Sequence, residues 1–358
     1  MKVLQLIDSL EGGGTERVAV NLANALSLNK ERTFLCTTRK EGPLKESLFN
    51  DVEYLFLDKR NVFDVGAIKR LSHFVKANDI QIIHAHSSSF FLATIVKFLN
   101  YNISIIWHDH YGNSAFLEKR KFRILKFCSR YFSHIFSVNK SLEVWAHENL
   151  KIKNITYLPN VAVLNEDTKI TSLEGILGKR IICLANLRSQ KDHFTLINAF
   201  KSTVDLFPEW TLHCVGKDFN DKYSKEVKSK IEELHLEKSV FLYDSKPDVA
   251  YFLKQCEIGV LSSKSEGLPI ALLEYGLSNL AVIATKVGEC ETVISNENNG
   301  LLIEPCNANQ LGRALRIYLE NRELRITHAS RFNKHILENY SMNAQLQTIN
   351  KIYTNSIN

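Results

Sequence analysis

The stretch IGVLSSKSEGLPIALLEYG, residues 258–276, decides the fold class. It begins with an apolar run typical of a buried strand, passes through a polar turn, and continues after Pro269 as an apolar helix. Proline suits the first turn of a helix because the N–H that it lacks would be unpaired there. Similar strand-like runs alternate with amphipathic helices from KVLQLID, residues 2–8, to GLLIEP, residues 300–305. This alternation predicts an α/β protein whose parallel sheets are covered on both faces.

The alternation occurs twice, which predicts two doubly wound, Rossmann-like domains that face each other across a cleft. A chain of 358 residues is long enough for two domains. The polar stretch NEDTKITSLEGILGK after Pro159 is the predicted linker. We expect the N-terminal domain at residues 1–163 and the C-terminal domain at residues 164–340. A last helix, at residues 341–358, is expected to pack back on the N-terminal domain.

The positive charge is concentrated in the first half of the chain. Residues 1–160 carry 22 Lys and Arg against 15 Asp and Glu, whereas residues 161–358 carry 23 against 24. This asymmetry favours an anionic substrate or an anionic membrane surface as a partner of the first half. A nucleic-acid function is disfavoured because no reading helix or aromatic-basic sheet motif is present. The seven scattered cysteines contain no C-x-x-C pair, which disfavours zinc and redox motifs and is typical of a cytoplasmic protein.

Two carboxylates bracket the start of the predicted helix in the first stretch. At 100° per residue, Glu266 and Glu274 are expected about 80° apart around the helix axis and about 12 Å apart along it. This separation excludes joint action on one atom. It suits the two ends of an extended ligand such as a nucleotide sugar, with the amides of Gly267 and Leu268 facing an anion between them. The spacing alone also fits a helix N-terminal charge and a solvated helix residue.

The same segment resembles the E-x7-E motif of retaining glycosyltransferases of the GT-B fold, most closely those of family 4. The resemblance covers nearly the whole chain in order. Its further segments are GGGTERVAVNLANAL (12–26), IIHAHSS (82–88), IIWHDHYG (105–112), LPNV (158–161), LANLRSQKDHFTLINAF (184–200), LHCVGKD (212–218) and ENNGLLIEP (297–305). It implies that the N-terminal domain binds the acceptor and that the C-terminal domain binds the nucleotide sugar.

The resemblance also implies roles for individual residues of the C-terminal domain. Glu266 would bind hydroxyls of the donor sugar near the reacting carbon, and Glu274 would bind the ribose hydroxyls. Lys191 and Arg188 would neutralise the diphosphate as it leaves. The family usually has an arginine five residues before the lysine, where this chain has Asn186. Whether Arg188 takes the place of that arginine is left open.

In the N-terminal domain, the resemblance implies a Gly-Gly loop at Gly13 and Gly14 that approaches phosphate or acceptor closely. It also places one histidine against the donor sugar and the reacting hydroxyl. His108 at the strand tip is the first choice, and His110, one pleat further, stays an alternative. Asp109 between them should point away, since successive residues of a strand face opposite sides.

The histidines of two adjacent strand ends raise the question of a metal site. His84 and His86 would lie beside His108 and His110, but neither an acidic cluster nor helical His-x-x-x-His spacing accompanies them. We therefore expect no metal and no cofactor, with basic residues and helix amides acting on the diphosphate instead. The chain departs from the family at Glu289, where a second glycine is usual, and at Thr292, where a glutamate is usual.

The run LEKRKFRILKFCSRYF, residues 117–132, interleaves six basic residues with apolar ones. Such a pattern predicts a basic amphipathic helix that binds an anionic membrane surface. A core-packing helix with a solvated basic face is the equal alternative. The membrane interpretation would place the protein on the inner face of the plasma membrane.

The resemblance therefore implies a metal-independent retaining glycosyltransferase. It would move a hexose from a nucleotide diphosphate sugar to a hydroxyl of a growing, lipid-linked glycan of the surface polysaccharide, capsule or lipopolysaccharide type. The enzymatic alternative is a nucleotide-sugar epimerase or phosphorylase on the same fold. The non-enzymatic alternative is an inactive module that binds nucleotides or glycans.

Overall fold

The computed structural model describes residues 1–11, 14–29, 31–111, 114–164, 170–246 and 248–357. Contacts divide the chain into two compact units. Unit 1 consists of Met1–Asn160 and Met342–Asn358, and unit 2 is Val161–Ser341. Each unit is built on one parallel sheet, which confirms the predicted α/β fold class.

Unit 1 contains a seven-stranded sheet in the order β3-β2-β1-β4-β5-β6-β7. The strands are β1 Lys2–Ser9, β2 Arg32–Lys40, β3 Glu53–Phe56, β4 Ile82–His86, β5 Ser104–Asp109, β6 His134–Ser137 and β7 Ile155–Tyr157. The helices are α1 Gly14–Leu28, α2 Val65–Ala77, α3 Phe90–Leu99, α4 Arg123–Cys128 and α5 Lys140–Asn149. Every residue of β4 is buried, as expected for a central parallel strand.

Unit 2 contains a six-stranded sheet in the order β10-β9-β8-β11-β12-β13. The strands are β8 Arg180–Leu184, β9 Thr211–Val215, β10 Val240–Tyr243, β11 Ile258–Leu261, β12 Ala281–Thr285 and β13 Leu301–Ile303. The helices are α6 His193–Val204, α7 Lys222–Glu233, α8 Val249–Leu253, α9 Ile270–Leu277, α10 Cys290–Ile294, α11 Ala308–Glu320 and α12 Arg322–Asn339.

The strand order of each sheet reverses at one point, between β1 and β4 in unit 1 and between β8 and β11 in unit 2. Open α/β sheets bind ligands outside the carboxyl ends of their strands at such a point. The histidines of IIHAHSS end β4, and the loop that carries Glu266 follows β11. Each unit therefore holds predicted site residues where its own topology favours a ligand.

The last helix, α13 (Met342–Ile357), belongs to unit 1. Its residues Leu346, Ile349 and Tyr353 pack in one apolar cluster with Val3 of β1 and Ile82 of β4. Within the described ranges, no helix combines the length and the apolar character that crossing a bilayer requires.

The run 117–132 is not the single amphipathic helix that its pattern predicts. It consists of the end of a 3₁₀ turn, Ser114–Lys119, the short helix α4, and a second 3₁₀ turn, Ser129–Tyr131. Phe122 interrupts it with a backbone conformation outside the helical region (φ −134, ψ 6). The sequence pattern misleads because Arg120, which the prediction places on a solvated face, is instead drawn into the interior.

The partner of Arg120 is Asp109. The guanidinium donates two hydrogen bonds to the Asp109 carboxylate, at 2.7 and 2.8 Å. It also lies 4.4 Å from the ring centre of Tyr111 and 4.2 Å from that of Trp145. Burial raises the pKa of Asp109, and the hydrogen bonds from Arg120 oppose that rise. A bidentate pair of this kind fixes the turn in which Arg120 lies.

Candidate active site

The loop after β8 and the loop after β11 meet in unit 2 through an ion pair. The Nζ of Lys191 lies 2.6 Å from Oε1 of Glu266, and the two side chains are 21% and 9% exposed. Lys191 ends the 3₁₀ turn Ser189–Lys191, and Asp192 then caps α6 by accepting a hydrogen bond from the N–H of Thr195. Water screens such a pair less than an exposed one. The structure thus brings together the two residues to which the family resemblance gives roles at the diphosphate and at the donor sugar.

Ser263 also donates a hydrogen bond to Oε1 of Glu266, at 2.5 Å. Ser262 donates to the carbonyl of Lys191 at 2.9 Å, and Thr285 at the end of β12 donates to the carbonyl of Ser263 at 2.7 Å. The Glu266 carboxylate therefore contacts a cation and a hydroxyl, and hydrogen bonds to backbone carbonyls fix the loop that carries it. Sequence reasoning missed Ser263, although its position three residues before Glu266 was a signal.

The segment that departs from the family packs directly against the Glu266 loop. Gly288 has a left-handed backbone (φ 54), and a Cβ there would collide with the carbonyl oxygen of Glu266. The N–H of Glu289 donates to the carbonyl of Gly267 at 3.0 Å. Glycine is thus required at 288 both by its backbone angle and by this close approach.

Helix α9 begins at Ile270, with Pro269 as its N-cap. The expectation that Gly267 and Leu268 supply amides of the helix N-terminus is therefore wrong, because both lie in the preceding turn. The cause is the extended backbone of Pro269 (φ −78, ψ 105), which delays the helix. The helical angle and rise expected between Glu266 and Glu274 do not apply either, since Glu266 is outside the helix.

Glu274 itself is half-buried on α9. Gly267 is exposed, and a Cβ added there would meet no atom within 4 Å. The donor-binding roles of Glu274, Gly267 and Leu268 stay predictions.

Arg188 belongs to a second group of cations in unit 2. Its guanidinium carbon lies 4.5 Å from the ring centre of Phe219, and Lys217 Nζ lies 5.3 Å from the same centre. Asn186, at the family's usual arginine position, accepts a hydrogen bond from the N–H of Lys217 at 2.8 Å. Sequence reasoning missed Lys217 and Phe219, which follow β9 in VGKDF. The role of Arg188 at the diphosphate stays a prediction.

Four histidines cluster at the ends of β4 and β5 in unit 1. His86 pairs with His108 in the parallel register of the two strands. The ring centroids of His84 and His86 are 4.6 Å apart, those of His84 and His108 5.2 Å, and those of His108 and His110 4.1 Å. The predicted alternation therefore brings all four imidazoles to one face of the sheet.

His108 and His110 differ in their access to a ligand. His108 is fully buried, and among the described residues neither of its ring nitrogens has a hydrogen-bond partner. His110 is half-buried, lies with Nε2 3.1 Å from Nδ1 of His86, and lines a cavity of unit 1. Burial lowers the pKa of both, to about 3 for His110. Both are neutral at pH 7, and which of them contacts substrate stays a prediction.

His84, His86 and His108 are the residues in this cluster whose ligand atoms could hold a metal ion, since these atoms lie within 4.8 Å of one another. Nδ1 of His84 lies 2.5 Å from the Tyr353 hydroxyl, and Nε2 of His86 lies 2.8 Å from Oε1 of Gln5. The planes of His84 and His86 are inclined by only 10°, and those of His84 and His108 by 22°. The rings are thus stacked nearly parallel, whereas a zinc site needs nitrogens that converge at about 2.0–2.1 Å from the ion. Metal independence stays a prediction.

The glycine loop after β1 is described in part. Gly13 lies outside the described residues. Gly14 is the first residue of α1, and a Cβ added there would meet no atom within 4 Å. Close approach of Gly14 to phosphate or acceptor stays a prediction.

Two family models match the chain, one for each half. Residues 12–165 match the model described as Glycosyltransferase Family 4, and residues 177–335 match that described as Glycosyl transferases group 1.

Individual relatives agree with these matches. An uncharacterized glycosyltransferase of Haemophilus influenzae is 24% identical over 87% of this chain and 88% of its own length. The UDP-Gal:alpha-D-GlcNAc-diphosphoundecaprenol alpha-1,3-galactosyltransferase of Escherichia coli is 23% identical over 96% of this chain and 94% of its own. The crystal structure of Anabaena HepE in complex with UDP superposes with a TM-score of 0.79 at 18% identity, covering 99% of this chain and 100% of HepE. This last likeness concerns the fold.

Proposed function

The chain belongs to the group 1 glycosyltransferases of the GT-B fold, and from this membership we propose that it is a retaining hexosyltransferase. Its donor is a nucleotide diphosphate hexose. Its acceptor is a hydroxyl of a growing, lipid-linked glycan of the surface polysaccharide, capsule or lipopolysaccharide type.

The observation that carries this proposal is the Lys191–Glu266 pair with its Ser263 support. Cleavage of the donor places extra negative charge on the departing diphosphate, and a cation already held in place stabilises that charge without reorganisation. Lys191 is such a cation. Glu266, held beside it, is suited to accept hydrogen bonds from hydroxyls of the sugar whose bond to the diphosphate breaks.

The rest of the nucleotide is assigned to neighbouring residues of unit 2. Glu274 on α9 offers a carboxylate to the ribose hydroxyls. Arg188 and Lys217 are grouped around Phe219 and add positive charge for the diphosphate. Since Lys191, Arg188 and Lys217 provide positive charge for the phosphates, transfer requires no metal ion and no cofactor.

The anomeric configuration of the sugar is retained if the acceptor hydroxyl attacks the anomeric carbon on the face from which the diphosphate departs. The acceptor oxygen forms a bond to the anomeric carbon, and the bond from that carbon to the phosphate oxygen breaks. The acceptor proton passes to the leaving phosphate, so that the products are the glycoside and the nucleoside diphosphate. His110, neutral and beside the cavity of unit 1, orients the acceptor hydroxyl.

The nature of the acceptor is supported by relatives. One relative is named as a galactosyltransferase that acts on a GlcNAc-diphosphoundecaprenol, and another as an O-antigen biosynthesis glycosyltransferase of Escherichia coli, 24% identical over 94% of this chain. A lipid-linked acceptor requires the enzyme to work at a membrane surface. The excess of basic residues in the first half of the chain is consistent with peripheral association on an anionic inner leaflet.

The test is a transfer assay in which UDP-, GDP-, ADP- and dTDP-hexoses are offered with sugars linked to undecaprenyl diphosphate. Mass spectrometry identifies a product that is heavier by one hexose, and proton NMR gives its anomeric configuration. An α-linked donor should yield an α-linked product. A β-linked product would contradict retention, and the absence of transfer from all four donor classes would contradict the hexosyltransferase.

A further inference from the structure

A cavity of about 910 Å³ opens at the carboxyl end of the sheet in unit 1. Its walls come from the end of β2, from β5, from the regions that follow β3, β4 and β5, and from α4. We call it the amphipathic cavity, because its described lining joins a mostly aromatic wall to a set of cations. Its volume is within the range of sites that enclose small ligands, about 300–1,000 Å³.

The apolar wall continues to the protein surface. Phe63 is 69% exposed and makes an edge-to-face contact with Phe91, with ring centres 5.8 Å apart. Ile124 of α4 is 62% exposed, and Val62 is 48% exposed. Burial of these side chains by a ligand would remove from water apolar surface that now faces it. The ligand should therefore have an extended apolar part.

The cationic part consists of Arg39, Lys59, Lys119 and Lys121. Among the described lining residues the acid is Asp109, which already holds Arg120 in a bidentate pair. Lys59 is half-buried, and burial, followed by the charge of Arg39, lowers its pKa. Asp8 already pairs with Arg39, with its Oδ1 3.8 Å from Nε, and the charges of Asp8 and Asp64 oppose the lowering of the Lys59 pKa. Among the described lining residues, five Lys and Arg side chains are still present against one acid, which favours an anionic ligand.

His110 lies on the same lining, next to the buried Asp109–Arg120 pair. A ligand in this cavity therefore has its polar end close to the histidine that we assign to the acceptor hydroxyl. The apolar residues Phe63 and Ile124 are exposed, as is Lys121, whereas Lys59 and His110 are half-buried.

We propose that the amphipathic cavity binds the isoprenoid diphosphate of the acceptor. The first isoprene units lie against Phe63 and Ile124, and the diphosphate lies among Lys59, Arg39 and Lys121. This inference rests on the proposed function, since it names the part of unit 1 that recognises the lipid carrier. A diphosphate diester carries negative charge next to an apolar chain, which matches the two parts of the lining.

The test is calorimetric titration of the full chain with farnesyl diphosphate, inorganic diphosphate and farnesol. Farnesyl diphosphate should bind at least tenfold more tightly than either of the others. The affinity for farnesyl diphosphate should fall at least tenfold in the double variant Lys59→Gln, Lys121→Gln, and likewise in the variant Phe63→Ser. The double variant Lys69→Gln, Lys76→Gln, with two exposed changes on α2, is the control matched in charge and should bind as the wild type does.

Inorganic diphosphate is also expected to bind at the donor site that we propose in unit 2. The variant Lys191→Ala is included to separate binding there from binding in the cavity. This variant should lose affinity for nucleotide sugars and keep its affinity for farnesyl diphosphate. Equal binding of farnesyl diphosphate by the wild type and the cavity variants, with unchanged melting temperatures, would overturn the inference. Binding to anionic vesicles without any affinity for farnesyl diphosphate would overturn it too, in favour of a membrane-surface contact.

Failure of this inference is distinguishable from failure of the proposed function. If hexose transfer to a water-soluble glycoside proceeds while farnesyl diphosphate does not bind, the cavity assignment is wrong and the transferase assignment stands. If farnesyl diphosphate binds in the cavity while no sugar nucleotide is turned over, the transferase assignment is wrong.

Discussion

The Nζ of Lys191 lies 2.6 Å from Oε1 of Glu266, although 75 residues of sequence separate them. They follow β8 and β11, the two strands between which the order of the sheet reverses in unit 2. The topology thus brings a cation and a carboxylate to the point where such sheets bind ligands. This contact connects the fold to the proposed chemistry.

Ser263→Ala removes the hydroxyl that donates to the same oxygen of Glu266. Loss of the hydrogen bond that orients Glu266, at a cost of about 1 kcal/mol, should lower kcat roughly five- to tenfold. The dissociation constant of the nucleoside diphosphate should be unchanged, since the hydroxyl is assigned to positioning Glu266. Steady-state kinetics and calorimetry measure the two quantities. Ser265→Ala, an exposed change two residues later, is the control and should leave both at wild-type values.

Gly288→Ala should destabilise unit 2 for two reasons, a left-handed backbone and a collision with the Glu266 carbonyl. Gly178→Ala is the matched control, because Gly178 also has positive φ (88) but a Cβ there meets no atom within 4 Å. The left-handed backbone alone costs of order 1 kcal/mol or more. The thermal unfolding temperature should therefore fall further for Gly288→Ala than for Gly178→Ala. Equal shifts would show that the close approach is unimportant.

The histidine cluster predicts a loss of stability in acid. Burial lowers the pKa of His84 to about 3, against an unfolded value of about 6.5. Below pH 6.5 the unfolded chain takes up a proton that the folded chain does not, so the free energy of unfolding falls as the pH falls. One such group contributes up to about 1.4 kcal/mol per pH unit between these two values.

Thermal unfolding from pH 7.5 to pH 5 measures this effect. His84→Asn should make the dependence on pH shallower than in the wild type. His73→Asn, a change of an exposed histidine on α2, should leave the slope as it is. If the unfolding temperature of His84→Asn depended on pH as steeply as that of the wild type, the assignment of His84 as a buried neutral imidazole would be contradicted.

Removal of metal ions should have no effect on transfer. Dialysis against EDTA, followed by assay with EDTA present, should leave kcat within twofold of the untreated enzyme, because we assign the neutralisation of the diphosphate to Lys191 and its neighbouring cations. An activity that is lost on chelation and restored by Mg²⁺, Mn²⁺ or Zn²⁺ would contradict the metal-free account.

The sequence predicts the fold class well because two periodicities, apolar strands and amphipathic helices, alternate along both halves of the chain. It also names Lys191 and Glu266 separately. It does not predict that they touch, nor that Ser263 joins them, because these contacts depend on where two loops end after folding.

The errors have equally local causes. The run 117–132 has the spacing of an amphipathic helix, but the bidentate attraction between Arg120 and Asp109 overrides that periodicity. The helix after Glu266 begins later than predicted because Pro269 acts as the N-cap rather than as the first helical residue. In both cases one or two residues decide the boundary, and a pattern averaged over a window does not register them.

The most direct test of the central claim, that unit 2 binds a nucleotide sugar, is a thermal-shift panel of UDP-, GDP-, ADP- and dTDP-sugars on the wild type, Glu274→Ala and Glu232→Ala. A ligand at 100 times its dissociation constant stabilises the folded state by about 2.7 kcal/mol, which is readily seen. We expect a shift with one base in the wild type and in the exposed control Glu232→Ala, and loss of that shift in Glu274→Ala. The absence of a shift with all four classes would contradict nucleotide-sugar binding, and an undiminished shift in Glu274→Ala would contradict the assignment of Glu274 to the ribose.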